Sequence, residues 1–124
     1  MKVSLGDIRE AQKRLKNIIQ LTAVDYSISA TRIADADIYF KFENTQRTGS
    51  FKIRGAYNKI STLNDEEKKR GVIASSAGNH AQGVALSASL ANVRSVIVMP
   101  QTAPLAKVIA CRACNHAALF FFVI

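Results

Sequence analysis

Acidic residues are absent from the chain after Glu67. All nine lie at or before Glu67, whereas seventeen lysines and arginines give the 124 residues a formal charge of +8. Such a surplus fits a nucleic acid partner, a basic pocket for a small phosphorylated ligand, or a piece of a larger protein with its acids elsewhere. The basic residues form no dense run and no stripe with interleaved aromatics, which disfavours nucleic acid.

Cysteines and long apolar runs are also scarce. Cys111 and Cys114 are the only cysteines, too few for a disulfide framework, so a reducing cytoplasm is expected. Together with His116 they would need a fourth ligand to bind zinc, and only His80 is available, so no metal is expected. The longest apolar run has eight residues, against about 20 for a membrane helix. Residues 1–20 are charged throughout and lack the apolar region of a secretory signal.

The first half of the chain predicts helices and one strand. Ser4 and Asp7 form a capping-box pattern, and apolar residues at helical spacing then predict a helix over 5–18. Alternation in 37–43 predicts a half-buried strand. A second helix is predicted over 51–63, and Asn64 reads as the cap of a third.

The second half predicts a parallel sheet. Short apolar runs at 72–76, 93–99 and 118–124 alternate with helical patterns over 78–91 and 103–113. This order is typical of βαβ crossovers in an α/β fold. The strands read as continuous apolar runs, which predicts that both faces of the sheet are buried.

The turn "SSAGNHAQG", residues 75–83, joins the first of these strands to its helix. Ligands of open parallel sheets bind at the carboxyl ends of the strands, and a helix N-terminus there favours an anion. Gly78 allows close approach of the backbone, and Ser75, Ser76 and Asn79 add hydrogen-bonding groups. The loop alone is equally compatible with an ordinary helix capped by these side chains.

Lys52 follows a Gly-Ser turn at a predicted helix start and lies between Phe51 and Ile53. A nucleophilic amine must lose its proton, and an apolar wall such as Phe51 with a nearby cation such as Arg54 would favour that. A lysine facing an anion-binding loop suits pyridoxal phosphate chemistry on amino acids. The competing interpretation is a solvated lysine on an exposed helix face.

Three segments carry a resemblance to a known family. They are "FENTQRTGSFKIRGAYNKI" (42–60), "SSAGNHAQGVALSA" (75–88) and "VIVMPQTAPLAKVIA" (96–110). In order and spacing they resemble the threonine dehydratase (threonine ammonia-lyase) family of fold-type II pyridoxal phosphate enzymes, over about residues 5–110. The resemblance implies that this chain is an N-terminal part of such an enzyme.

The resemblance also implies roles for individual residues. Lys52 would form the Schiff base with pyridoxal phosphate, Phe51 would lie beside the ring, and Asn79 would bond the 3-hydroxyl oxygen. The substrate carboxylate would be held by the loop comprising Ser76, Ala77, Gly78, Asn79 and His80. A nucleotide activator, known in the catabolic branch, would bind near Arg47, Thr48 and Gln82.

The implied reaction is dehydration and deamination of L-threonine or L-serine to 2-oxobutanoate or pyruvate and ammonia, with Lys52 as general base. Its setting would be isoleucine biosynthesis or threonine catabolism, in a homo-oligomer without nucleic acid or membrane partners. Related serine racemases carry a serine at the position of Ala77, so alanine favours elimination. The first alternative to this activity is a noncatalytic fragment or partner-binding module. The second alternative is a serine racemase.

Glycine is missing after Gly83, although the family's glycine-rich phosphate cradle lies further along the chain. The resemblance further implies that residues 1–50 belong to the large domain of such an enzyme. Residues 51–124 would form an α/β small domain, C-terminally truncated and with an atypical tail from about 111. The chain by itself is expected to be inactive.

Overall fold

The structure is a computed structural model that describes residues 2–114 and 119–123. In its first part, α1 (Leu5–Leu15) starts at the predicted capping box, in which Asp7 N donates to Ser4 Oγ and Ser4 N donates to the Asp7 carboxylate. Two short strands with a helix between them follow, β1 (Val24–Tyr26), α2 (Ile28–Ala34) and β2 (Tyr39–Lys41). The sequence patterns had not indicated β1 or α2.

The two short strands pair antiparallel, with Val24 opposite Lys41 and Tyr26 opposite Tyr39. All of their residues are exposed, so the prediction of a half-buried strand over 37–43 was wrong in both burial and length. The strand is short because a single 3₁₀ turn at Glu43–Thr45 follows it almost directly. An edge-to-face contact between Tyr26 and Tyr39, 5.3 Å between ring centroids, stabilises the pair.

The second part alternates helices and strands. Two helices come first, α3 (Lys52–Ser61) and α4 (Asp65–Arg70), and the second starts at a capping box formed by Asn64 and Glu67. The remaining elements are β3 (Val72–Ser75), α5 (Asn79–Leu90), β4 (Ser95–Pro100), α6 (Leu105–Cys114) and β5 (Leu119–Val123). The three strands form a parallel sheet in the order β3-β4-β5, which confirms the predicted α/β fold with βαβ crossovers.

Burial of this sheet is one-sided, contrary to the sequence expectation. Ala74, Ile97 and Met99 point into the core, whereas Ile73 is 72% exposed. The reason is topological: successive right-handed crossovers in one direction place α5 and α6 on the same face. Within the described residues β4 is the central strand and β5 lies at an edge.

Small residues let the helices pack closely on the buried face. Ala81, Ala85 and Ala88 of α5 are fully buried, and α3 contributes Ala56 and Ile60 to the same core. The close packing of α3 on α5 fixes where α3 begins, and therefore where Lys52 lies. The helices of the described part are all too short or too polar to cross a bilayer.

Candidate active site

Lys52 is the first residue of α3, directly after a tight turn. Gly49 has a φ of 65°, and its amide donates to the Gln46 carbonyl oxygen at 2.7 Å. The Lys52 ammonium lies 4.9 Å from the centroid of the Phe51 ring, a cation–π contact. Both side chains are exposed, so the structure pairs the amine with its aromatic neighbour on an open surface.

Arg54 is not the free cation near Lys52 that the sequence suggested. Its guanidinium donates to both carboxylate oxygens of Glu43, at 2.8 and 2.7 Å. These bonds, with one from Thr22, lower the pKa of the Glu43 carboxyl to about 2. The Arg54 charge is therefore compensated by Glu43.

The turn between β3 and α5 is held by two hydrogen bonds. The Ser76 amide donates to the Val98 carbonyl oxygen at 3.0 Å, which extends the parallel ladder beyond β3. The Ser76 hydroxyl accepts a bond from the Gly78 amide at 3.2 Å. Among the described residues, no side chain caps the start of α5. An uncapped helix N-terminus favours an anion, so the geometry supports the anion-binding interpretation over the capped helix.

Gly83 brings the backbone of Lys52 close to α5. A Cβ added at Gly83 would lie 3.1 Å from the carbonyl carbon of Lys52 and 3.2 Å from its Cβ and oxygen. Because Gly83 is one helical turn beyond Asn79, this contact places the start of α3 one turn from the loop of residues 76–80. Gly83 was not predicted to belong to the site, although a glycine inside a helix is a signal of close approach.

Lys107 of α6 was also missed. Its ammonium donates to Asn79 Oδ1 at 2.7 Å and to Gln82 Oε1 at 3.0 Å. No sequence spacing indicated this contact, because the two helices meet only through the fold. The contact ties α6 to the loop that carries the candidate substrate-binding residues.

The candidate site is an open surface rather than a cavity. Lys52, Asn79 and His80 are all exposed. A groove of about 450 Å³ between α3 and β3 includes His80 but neither Lys52 nor Asn79. A groove of about 900 Å³ lies beside α1 and is lined by none of these three residues.

Residues 17–121 match the family described as pyridoxal-phosphate dependent enzyme. The chain belongs to this family. It is 57% identical over 106 residues to the L-threonine ammonia-lyase of Thermotoga maritima, covering 86% of this chain and 26% of that protein. It is 49% identical over 116 residues to the L-threonine dehydratase catabolic TdcB of Escherichia coli K12, covering 94% of this chain and 35% of that protein.

A solved structure supports the same assignment. Maize serine racemase matches with a TM-score of 0.87 and 36% identity, over all of this chain and 38% of that one. The resemblance read from the sequence and the fold-type II α/β fold are therefore confirmed. The chain spans about a quarter to a third of the length of the curated relatives it matches.

The residues present fit pyridoxal phosphate, the cofactor of the family. The donor set comprises a primary amine on Lys52, an aromatic ring on Phe51 and an amide on Asn79, next to an uncapped helix start. An amine for covalent attachment and an amide for a ring oxygen are what this cofactor needs from a protein. The cofactor prediction is confirmed at the level of the family.

The residues predicted to bind a nucleotide activator each form a hydrogen bond with a different part of the chain. Arg47 Nη1 donates to the Ile18 carbonyl oxygen at 2.8 Å, and the hydroxyl of the buried Thr48 donates to the Ser50 carbonyl oxygen at 3.4 Å. Gln82 accepts from Lys107 instead. In the described part the three share no hydrogen-bond partner, and the nucleotide site stays a prediction.

The two cysteines are free thiols on α6. Burial raises the pKa of the Cys111 thiol to about 11, so it is a structural residue of the core rather than a nucleophile. No group of three metal-ligating side chains occurs among the described residues, and His116 lies outside them.

Proposed function

We propose that this chain carries the lysine-bearing half of the active site of a pyridoxal phosphate-dependent threonine ammonia-lyase. The enzyme would convert L-threonine to 2-oxobutanoate and ammonia, and L-serine to pyruvate and ammonia. The identities of 57% and 49% to proteins with these names support the proposal. The single structural observation that carries it is the contact between the Lys52 backbone and Gly83, which sets the amine-bearing helix beside the anion-binding turn.

Each residue has a proposed task. Lys52 is the covalent attachment point and the base that takes the proton from Cα. The amides and side chains of residues 76–80 hold the substrate carboxylate, aided by the positive end of the α5 dipole. Phe51 lies beside the ring, and Asn79 donates to the 3-oxygen. When bound, the cofactor supplies an electron-withdrawing ring that stabilises negative charge at Cα.

The reaction balances without an added redox partner. The substrate loses a proton from Cα and the hydroxyl from Cβ, which together amount to one water. Hydrolysis of the released enamine or imine consumes one water and gives the 2-oxo acid and ammonia. The net change is therefore loss of ammonia: the Cα–N and Cβ–O bonds break, a carbonyl forms at Cα and Cβ gains a hydrogen, with no net consumption of water and no external oxidant or reductant.

We also propose the setting and the division of the chain. The site is open, and the chain spans only part of the length of its relatives. Both observations support a second domain that completes the pocket, with the domain boundary within this chain near residue 50. The free thiols support a cytoplasmic location, and the word catabolic in the name of the Escherichia coli relative supports threonine catabolism over isoleucine biosynthesis. A homo-oligomer is proposed on the family resemblance alone. The nucleotide site near Arg47, Thr48 and Gln82 is part of the catabolic version of this proposal.

The central test joins residues 1–110 to the remaining C-terminal part of the Thermotoga relative. We expect this fusion to form 2-oxobutanoate from threonine, and Lys52→Ala to abolish both turnover and borohydride-trapped cofactor. Lys59→Ala, an exposed lysine of the same helix, is the matched control and should keep both. Turnover by the Lys52→Ala fusion would refute the role of Lys52.

The chain of 124 residues alone should bind pyridoxal phosphate weakly and show no turnover. Its site is open, so water is not excluded from the reacting groups. The measurement is 2-oxobutanoate formation from threonine with added cofactor. Turnover comparable to that of the fusion would contradict the need for a second domain, whereas no turnover by either protein would favour a noncatalytic or partner-binding module.

Serine racemization is a second candidate because maize serine racemase matches the whole chain. Ala77 argues against it, since a racemase needs an acid or base on the opposite face of Cα and alanine supplies none. Ala77→Ser in the fusion should raise D-serine formation relative to pyruvate, measured by chiral chromatography. An unchanged ratio would remove Ala77 from the explanation of reaction choice.

A further inference from the structure

Lys107 reaches from α6 to the first turn of α5. Its Nζ lies 2.7 Å from Asn79 Oδ1 and 3.0 Å from Gln82 Oε1, two side chains that share one face of the helix. The reach is fixed by packing, because Val108 and Cys111 of α6 and Ala81 and Val84 of α5 belong to one buried cluster. The contact is therefore built into the core of the second half.

A lysine decides which way the Asn79 amide points. An ammonium group has three donors and no acceptor, so the atom of Asn79 that faces Lys107 must be the carbonyl oxygen. The Nδ2 group is then the remaining polar group of the side chain, and it can only donate. Asn79 is thus prepared to bond an acceptor, and a carboxamide with the opposite orientation is disfavoured.

Helix electrostatics do not explain a cation at this place. A positive charge near a helix N-terminus opposes the helix dipole. No acidic residue follows Glu67, and among the described residues Lys107 has no carboxylate partner. A cation placed there at a cost implies a compensating use, and an anionic ligand oxygen bonded by Asn79 would provide it.

We propose that Lys107 is a positioning residue for the cofactor. It holds the Asn79 carboxamide with Nδ2 available to the 3-oxygen of pyridoxal phosphate, and its charge strengthens that bond through the polarised amide. This inference rests on the proposed function, in which Asn79 contacts that oxygen. Gln82 acts as the second acceptor that keeps the lysine in place.

The first test observes Asn79 without any cofactor. In the 124-residue chain, the side-chain amide resonances of Asn79 should lie away from random-coil positions and should move toward them in Lys107→Met. Lys107→Arg should keep most of the displacement, and Lys69→Met, an exposed lysine of α4 with the same change in charge, should leave it unchanged. Random-coil shifts in the unsubstituted chain, or identical shifts in Lys107→Met, would overturn the proposal.

The second test asks whether Lys107 acts through Asn79. In the fusion, Lys107→Met should weaken pyridoxal phosphate binding about tenfold, as expected for loss of one charge-assisted hydrogen bond. In an Asn79→Ala background the same substitution should cause no further loss, since residues that act as a unit are not additive. Equal losses in both backgrounds would mean that Lys107 has no positioning role.

The two proposals fail in different ways. If the Lys52→Ala fusion keeps the borohydride-trapped cofactor, or the unsubstituted fusion shows no saturable binding, the cofactor site is wrong. The amide resonances of Asn79 would still decide whether Lys107 orients it. If Lys52→Ala abolishes trapping while Lys107→Met binds normally, only the role of Lys107 is refuted.

Discussion

The two parts of this chain bury different kinds of side chain. Between residues 2 and 50, Leu15 is the one hydrophobic residue of the core, whereas large apolar side chains such as Leu21, Ile33 and Tyr39 are at least 60% exposed. After residue 51, thirteen hydrophobic residues of the described part are buried, and twelve of them form one cluster against the parallel sheet. The second part has a core of its own, and the first part does not.

The connections between the parts are polar. Arg54 bonds Glu43 at 2.7 Å and Arg14 bonds Asn58 at 2.7 Å across the boundary, while within the first part the buried Thr22 supports Glu43 with a bond of 2.6 Å. Polar links fix geometry but contribute less free energy than burial of apolar area. The comparison therefore teaches that most of the folding free energy comes from the second part. The first part is fixed against α3 by a few specific hydrogen bonds.

The largest expected effect tests that difference with two isoleucines. Ile97 on the central strand is fully buried, and Ile97→Ala should lower the free energy of unfolding by about 2–5 kcal/mol. Ile33 in α2 is 88% exposed, and Ile33→Ala should change it by about 0.5 kcal/mol or less. Urea unfolding of both variants measures the contrast, and equal losses would show that the two parts do not differ.

Sequence patterns predicted the second part well, and the first part less well. Two helices, α1 with its capping box and α5 with its many small residues, were placed within a few residues. The missed α2 has seven residues and depends on local contacts, a cap by Ser27 and a left-handed Asp35, that leave little periodicity. Burial of the sheet was misjudged because an apolar strand does not reveal which face its crossover helices will cover.

Acid should weaken the link between the parts. The folded pKa of Glu43, about 2, lies below its ordinary value of 4.5, because Arg54 and Thr22 bond the carboxylate. The stabilisation is therefore complete above pH 4.5 and is lost as the pH falls toward 2, a change of about 2–3 kcal/mol. Urea unfolding between pH 7 and pH 2 should show this loss in the unsubstituted chain.

Two glutamate variants serve as the check on this acid dependence. Glu43→Gln should already be destabilised at pH 7 and should lose that part of the pH dependence. Glu10→Gln, at an exposed ion pair within α1, should behave like the unsubstituted chain. If Glu43→Gln keeps the full acid dependence, another carboxyl group carries it.

A pair of helix glycines tests how tightly the site is built into the second part. Gly83→Ala should destabilise the chain by about 1–3 kcal/mol, because its Cβ would meet the rigid backbone of Lys52. Gly55→Ala meets nothing within 4 Å and should stabilise α3 by about 0.5–1 kcal/mol. Thermal unfolding gives both values, and a stabilised Gly83→Ala would refute the close approach.

Only the site residues that belong to contiguous sequence motifs could be predicted. Lys52 and the turn at 76–80 were identified because each is a contiguous pattern. Gly83 and Lys107 were not, because their partners lie 31 and 28 positions away and only helix packing brings them together. Arg54 was wrongly predicted to be a free cation, because its partner Glu43 lies on a 3₁₀ turn that only the tertiary structure brings beside it.

The smallest expected effect concerns two buried hydroxyls, one in each part. Thr22 donates to Glu43 at 2.6 Å, whereas the fully buried Ser87 hydroxyl has no hydrogen-bond partner among the described residues. Removing a bonded hydroxyl costs about 1 kcal/mol, but removing an unsatisfied one relieves a desolvation penalty. Thr22→Val should therefore destabilise the chain by about 1 kcal/mol, whereas Ser87→Ala should be neutral or stabilising by up to about 1 kcal/mol. Ser87→Ala also improves helix propensity and leaves a space no larger than one oxygen atom, so both secondary effects are small.

Urea unfolding of the two variants and of the double variant measures the contrast, and the values should add because the sites share no partner. A loss of 1 kcal/mol or more in Ser87→Ala would mean that its hydroxyl does have a partner in solution, and the expected contrast between these two hydroxyls would fail.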